Sequence, residues 1–341
     1  MAPVLKFIKI FAVLGLLVAA GAGLAFYDIA RYAERPDGVT TGRHTVTIHP
    51  GEGFRAITAQ LQERGFIRSP FKFRLYARFA GYHTELKAGE YELTDQMSPR
   101  QILETLKSGK VRLYRVTIPE GYQLRQIAAT IEKTGFGSAQ DFLRLATDLE
   151  ETRAAGIEAE TLEGYLFPDT YHFPKGLDQR AIIAAMVKRF QAEITDEWRA
   201  RAHEIGLSLH EVVTLASIIE KETGDPAERP LISSVFHNRL KKGMRLETDP
   251  TVIYGIKDFN GNLTRKDLRT PTPYNTYIIK SLPPGPIASP GQAALEAALY
   301  PSGTDYLFFV SRRDRTHQFS TNWKDHDQAV RKYQLRRRKK K

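Results

Sequence analysis

The first strong pattern along the chain is an uncharged, mostly apolar run from Ile10 to Tyr27, long enough as a helix to cross the core of a bilayer. Beyond it the pattern changes to short alternating stretches, each followed by a helical stripe, which predicts an α+β fold. The stretch VTIHPGEGFRAITAQLQERGF, Val46 to Phe66, aligns without a gap to VTIPEGYQLRQIAATIEKTGF, Val116 to Phe136. Each copy predicts a short strand, a glycine-containing turn and an amphipathic helix stopped by glycine. Between the copies, Leu86 to Lys110 predicts a strand, a turn and a helix that starts at Ser98 and Pro99 and stops at Gly109.

The C-terminal half has a different texture. LEGYLFPDTYHFPKG, Leu162 to Gly176, is dense in aromatics, and its two prolines predict a fixed extended segment. Asp178 to Arg199 predicts one long amphipathic helix built on Ile182, Ile183, Met186, Val187 and Phe190. Ser208 with Glu211 has capping-box spacing, so a helix is expected from there to about Thr223, carrying the run LASIIEKET. Another helical stripe, Ile232, Val235, Phe236 and Leu240, is closed by Gly243. The segment Met244 to Tyr254 then puts Glu247, Thr248 and Asp249 on a polar loop, and Pro271 to Gly291 presents Asn275, Thr276 and Tyr277 before a proline-rich turn.

Charge and composition add the surroundings. The net charge of +11 implies an anionic neighbour, whether nucleic acid, acidic lipid or an acidic polymer, and the absence of cysteine removes disulfides and thiolate chemistry. Lys6 and Lys9 precede the apolar run, which predicts a cytoplasmic N-terminus with the rest of the chain outside the cytoplasm. The rival is a signal peptide cleaved near Ala20, Gly21 and Ala22; continuation of the apolar run through Leu24 to Tyr27 favours a retained span. The expected organisation is an N-terminus and span (1–30), a stalk (31–43), a first small module (44–112), a second (113–160), a mixed α+β domain (161–335) and a basic, solvated tail (336–341).

Among the polar residues, Glu220 stands out. Helical spacing places it along the edge of Val213, Ala216 and Ser217, where a half-buried carboxyl holds its proton to higher pH and can serve as an acid. Glu222 reads as a helix-end charge. There is no HExxH pair, no GxSxG elbow and no Walker A loop, so neither a metal nor a cofactor is expected. The apolar span and the lack of a nucleic-acid motif argue against DNA or RNA. These residues leave Glu220 a candidate for any proton-transfer chemistry.

Resemblance narrows the choice. The repeated strand, glycine turn and helix resemble the LysM module, which implies binding to N-acetylglucosamine-containing glycans; a spacer role stands beside that reading. EGYLFPDTY, LASIIEKET, SVFHNRL, MRLETDPTVIYG, PYNTY and LPPGPIASPG resemble the YceG-like family of endolytic murein transglycosylases. The resemblance implies an inner-membrane, single-pass enzyme with a periplasmic catalytic domain. It would cleave nascent peptidoglycan strands alongside cell-wall synthases, leave 1,6-anhydro ends and so terminate elongation. The first glutamate of EKET, Glu220, matches the family's catalytic residue. Glu247, Thr248, Asp249, Asn275, Tyr277 and Tyr165 are the expected substrate-binding residues. A water-using muramidase with Asp249 or Glu247 as second carboxylate, and a non-catalytic glycan-binding scaffold, are the alternatives.

Overall fold

The computed structural model describes residues 2–335, with side chains from Ile10 onward; the basic tail expected at 336–341 lies outside the described residues. The chain forms two compact units, 1–114 with 173–176, and 115–172 with 177–341.

The first unit opens with helix α1 (Ala2–Ala33), whose stretch Ile10–Ala33 is apolar, with mean hydropathy 2.2, and is unburied over its apolar window. It is the one helix among the described residues with the length and composition of a membrane span. The helix continues past Tyr27 into protein: Ala33 is buried, the Tyr32 hydroxyl donates to the Ser69 carbonyl (3.3 Å), and Asp28 pairs with Lys72 (2.7 Å). The expected stalk is correspondingly packed down. Asp37 accepts from the amides of Arg68 and Ser69, and Val39 and Thr40 both donate to the Gly65 carbonyl. Pro36 and Gly38 have the look of linker punctuation, but Gly38 serves close approach, since a Cβ there would sit 2.9 Å from the Gly65 oxygen.

Strand β1 (Arg43–Ile48), helices α2 (Phe54–Glu63) and α3 (Pro70–Phe79), strand β2 (Gly89–Thr94) and helix α4 (Pro99–Ser108) complete this unit. β1 and β2 pair antiparallel with Val46 opposite Tyr91, and both side chains enter a core with Leu61, Phe73 and Leu103. Full burial of such side chains supplies roughly 1.5–3 kcal/mol each. The capping box at Ser98 and Gln101 and the left-handed Gly109 bound α4 as its sequence predicts. Helix α3, entered at Ser69 and Pro70, is an element the sequence pattern did not yield.

Strand β3 (Leu113–Thr117) pairs with β4 (Thr170–Pro174), and between them lie α5 (Leu124–Lys133), α6 (Ala139–Ala146) and α7 (Leu149–Ala154). The second repeat is therefore built like the first, strand then helices then a returning strand. Leu162 donates to the Ala146 carbonyl and Leu124 to the Glu163 carboxylate, so this repeat is bonded to the segment that follows it. The expected long helix is two, α8 (Gln179–Glu193) and α9 (Asp196–Glu204), because Ile194 is extended and the Thr195 hydroxyl caps a new start by accepting from the Trp198 amide. Helix α10 (Leu209–Glu222) has the expected capping box and is buried from Val212 to Ile219. It packs against α13 (Gln292–Leu299) and α11 (Arg229–Lys241). Asp249 is not on a loop but opens α12 (Asp249–Gly255), with Pro250 in its first turn. Strands β5 (Phe308–Ser311) and β6 (His317–Ser320) form an antiparallel hairpin followed by α14 (Trp323–Val330).

Candidate functional site

Glu220 lies in the last turn of α10 with its side chain only 6% exposed. One carboxylate oxygen accepts from Arg229 Nη2 (2.9 Å) and the other from the Gly291 amide (3.1 Å). Arg229 comes from the start of α11 and is itself buried; the same Nη2 lies 3.6 Å from Glu120, which is half-exposed on the turn after β3. That turn is held in place by backbone. Gly121 donates to the Ser289 carbonyl and Ser289 donates back to the Tyr122 carbonyl, both at 2.8 Å, while Lys221 Nζ reaches the Gly121 carbonyl at 3.2 Å. Glu120 and Gly291 are consequently pressed together: a Cβ on Gly291 would fall 1.9 Å from a Glu120 oxygen.

Burial raises the Glu220 pKa above the usual carboxylate range, and the nearby Glu120 charge adds to the rise against the Gly291 amide and Arg229. A carboxyl in these surroundings can hold a proton for delivery, and the same two donors stabilise the carboxylate left behind.

A second carboxyl faces another cluster. Glu222 accepts from the Thr248 hydroxyl, and burial, with a contribution from Asp249, pushes its pKa up to about 7 despite Thr248 and His317. It is thus no helix-end charge, since its carboxyl turns inward onto the loop before α12. Tyr277 donates to Asp249 (2.7 Å), the Thr248 amide donates to Thr276 Oγ1 (3.1 Å), and His317 pairs with Glu228 (2.6 Å).

The expected binding residues separate accordingly. Thr248, Asp249 and Tyr277 come together around Glu222. Glu247, in a left-handed conformation (φ 53°), pairs with Arg239 at 3.0 Å. Asn275 is fully buried and spends its amide on the carbonyls of Asp267, Leu268 and Thr270, so it braces a loop instead of facing a ligand. Tyr165 is buried too, its hydroxyl on His210 Nδ1 (2.7 Å) and its ring edge-on to Phe190. None of the six hydrogen-bonds Glu220. Its partners, Arg229, Gly291 and Glu120, were missed in the sequence, although one signal existed: Glu120 stands where the first repeat has Pro50. Among the described residues no group of His, Asp and Glu is arranged to hold a metal ion.

The chain thus combines a mixed α+β fold, an N-terminal helix with the length and composition of a membrane span, and a carboxyl buried between a guanidinium and an amide. The YceG-like family model matches residues 46–332, and the chain belongs to that family. It is 34% identical over 333 residues to a Bacillus subtilis protein named endolytic murein transglycosylase, covering 93% of this chain and 91% of that one. A Streptococcus pneumoniae protein of the same name is 30% identical over 320 residues, 84% of this chain and 57% of that longer protein. The crystal structure of a yceG-like protein from Listeria monocytogenes matches with a TM-score of 0.59 at 37% identity, covering 84% of this chain and 98% of that one.

Proposed function

We propose that this chain is a lytic transglycosylase of peptidoglycan in which Glu220 acts first as acid and then as base. The observation that carries this is the Glu220 carboxyl, buried, raised in pKa, and bonded to Arg229 and the Gly291 amide. In the first step Glu220 protonates the oxygen of a MurNAc–GlcNAc bond, and that bond breaks as positive charge develops on the muramic ring. The resulting carboxylate takes the proton from the C6 hydroxyl of the same ring, and that oxygen closes on C1. The product is a 1,6-anhydro end, no water is consumed, and Glu220 regains its proton. Arg229 and Gly291 hold the carboxylate between the two steps.

Cleavage within nascent strands would end their elongation, which places cell-wall synthases among the partners. Helix α1 would be a single span of the inner membrane, with the N-terminus cytoplasmic and both repeats, as LysM-like glycan-binding modules at 44–112 and 113–160, on the periplasmic side with the catalytic domain at 161–335. Thr248, Asp249, Tyr277 and Glu247 would line the approach for substrate, while Asn275 and Tyr165 support it from within.

Mass spectrometry of digested peptidoglycan tests the reaction: anhydro ends from the wild type and no cleavage by a folded Glu220→Gln variant are expected. Substantial residual cleavage by that variant would sink the assignment. One observation favours a second reading, a water-using muramidase. Glu120 shares Arg229 with Glu220 and would be its second carboxylate, in place of Asp249 or Glu247, which bond to Tyr277 and Arg239. Reducing ends in the same digest would select it.

A further inference from the structure

The mechanism above makes no use of a cavity of about 780 Å³ in the second unit, walled by Glu163, Tyr254, Tyr274, His210 and the segment Pro284–Pro286. That volume falls in the range of small-molecule sites, roughly 300–1,000 Å³. One lining group is a buried carboxyl: Glu163 accepts from the Leu124 amide (3.1 Å) and the Tyr254 hydroxyl (3.2 Å). The rings of Tyr254 and Tyr274, both lining residues, meet at 4.7 Å and 54°. His210 and the proline segment are equally fixed. His210 Nε2 lies 2.7 Å from the Pro284 carbonyl, which can only accept, so Nε2 carries a hydrogen, and Nδ1 lies 2.7 Å from the Tyr165 hydroxyl. Gly164 has φ +85° and would place a Cβ 2.4 Å from the Pro286 ring, so the chain beside Glu163 approaches the proline segment through a position suited to glycine.

The cavity also has a structural connection to Glu220. The segment from Pro284 to Gly291 runs along α10, bonding in turn to His210, to Ser217 Oγ through the Ile287 amide (3.0 Å), and to Glu220. His210 and Glu220 are ten positions apart on that helix, about 15 Å at 1.5 Å per residue. One rigid helix and one strap therefore fix the spacing between the cavity and the proton donor.

From this arrangement we infer that the cavity is a distal subsite that holds one sugar ring of the glycan strand whose bond lies at Glu220, several rings away. The inference rests on the proposed glycan substrate. A pyranose offers an apolar C–H face, which packs on a tyrosine ring, and hydroxyl and amide edges, which meet Glu160 and Glu163 at the cavity wall. Occupancy there sets where along a strand the cut falls.

The test uses the full chain carrying Glu220→Gln, which separates binding from cleavage, titrated calorimetrically with peptide-free glycan strands. Adding Tyr274→Ala weakens binding tenfold or more, while Tyr274→Phe, which keeps the ring, binds like the parent; thermal unfolding confirms that both are folded. In the cleaving protein, Tyr274→Ala shifts the lengths of the products while the anhydro chemistry of their ends persists. Unchanged affinity and unchanged product lengths in Tyr274→Ala overturn the subsite alone. Binding that requires stem peptides on the strand overturns its assignment to a sugar. Neither binding nor cleavage by any version of the chain overturns the proposed function, and the subsite with it.

Discussion

Arg229 Nη2 lies 2.9 Å from Glu220 and 3.6 Å from Glu120, so one buried guanidinium sits between the proposed proton donor and a second carboxylate. The two neighbours act on Glu220 in opposite senses: Arg229 favours its anion and Glu120 its neutral acid.

The first prediction follows from those signs. Loss of the Glu220 proton sets the alkaline limb of the kcat/KM profile. Glu120→Gln removes a negative charge, lowers the Glu220 pKa and moves that limb to lower pH. Arg229→Gln removes the positive partner and moves it to higher pH, with lower activity throughout. Profiles of the two variants against wild type check the pair of directions, and shifts of the same sign in both would contradict the electrostatic account.

Glu163 makes stability depend on pH. Burial pushes its pKa from the ordinary 4.5 up to about 7. Between those values the folded protein holds a proton that the unfolded chain releases, so the stabilisation is complete below the unfolded pKa and is lost as pH rises through the folded one. The span corresponds to on the order of 3 kcal/mol. Denaturant melts at about pH 5 and about pH 8 should show wild type weaker at the higher pH, and Glu163→Gln should reduce the difference, leaving the part that the raised Glu222 contributes.

Gly164 tests the cavity's architecture. Alanine there is strained by the left-handed backbone and meets the Pro286 ring at 2.4 Å. Gly164→Ala should lower the unfolding free energy by roughly 2 kcal/mol or more. Gly303→Ala, where nothing lies within 4 Å and the backbone is not left-handed, should change it little in the same melts.

Asn275 and Thr248 distinguish bracing from binding. Asn275→Ala strips the side-chain donor from three loop carbonyls and should cost about 1–3 kcal/mol of stability. Thr248→Val removes the hydroxyl bonded to Glu222 and should raise the pKa of that buried carboxyl further, which carboxyl titration by NMR would detect. A normal Glu222 titration in Thr248→Val would show that the contact does not govern its ionisation.

Much of this was legible from local signals. The α10 capping box, the Gly109 and Gly243 stops and the apolar helix rest on local patterns, and all are present in the structure. Thr195 also carried a cap signal, but the apolar spacing on either side of it masked the break between α8 and α9. The environment of Glu220 was harder to read because its partners lie 9, 71 and about 100 positions away in sequence. Glycine gives no hint that its amide will face a carboxylate. Glu222 was misjudged for a related reason: a residue at a helix end is solvated only if no loop returns to cover it, and Thr248, 26 positions later, does.

The continuation of α1 into the first unit has a mechanical consequence. The helix reaches Ala33 without a break, and Tyr32, Asp28 and Asp37 fasten it and the following segment to α3 and its entry. Were Ile10–Tyr27 to span a bilayer, this unit would have almost no slack: it would stand on a stiff post, its height above the lipid set by helix length instead of by a wandering leash. Glycine and serine residues inserted between Tyr27 and Asp28 would loosen that post without touching Glu220, and so separate what the protein does from how far it can reach.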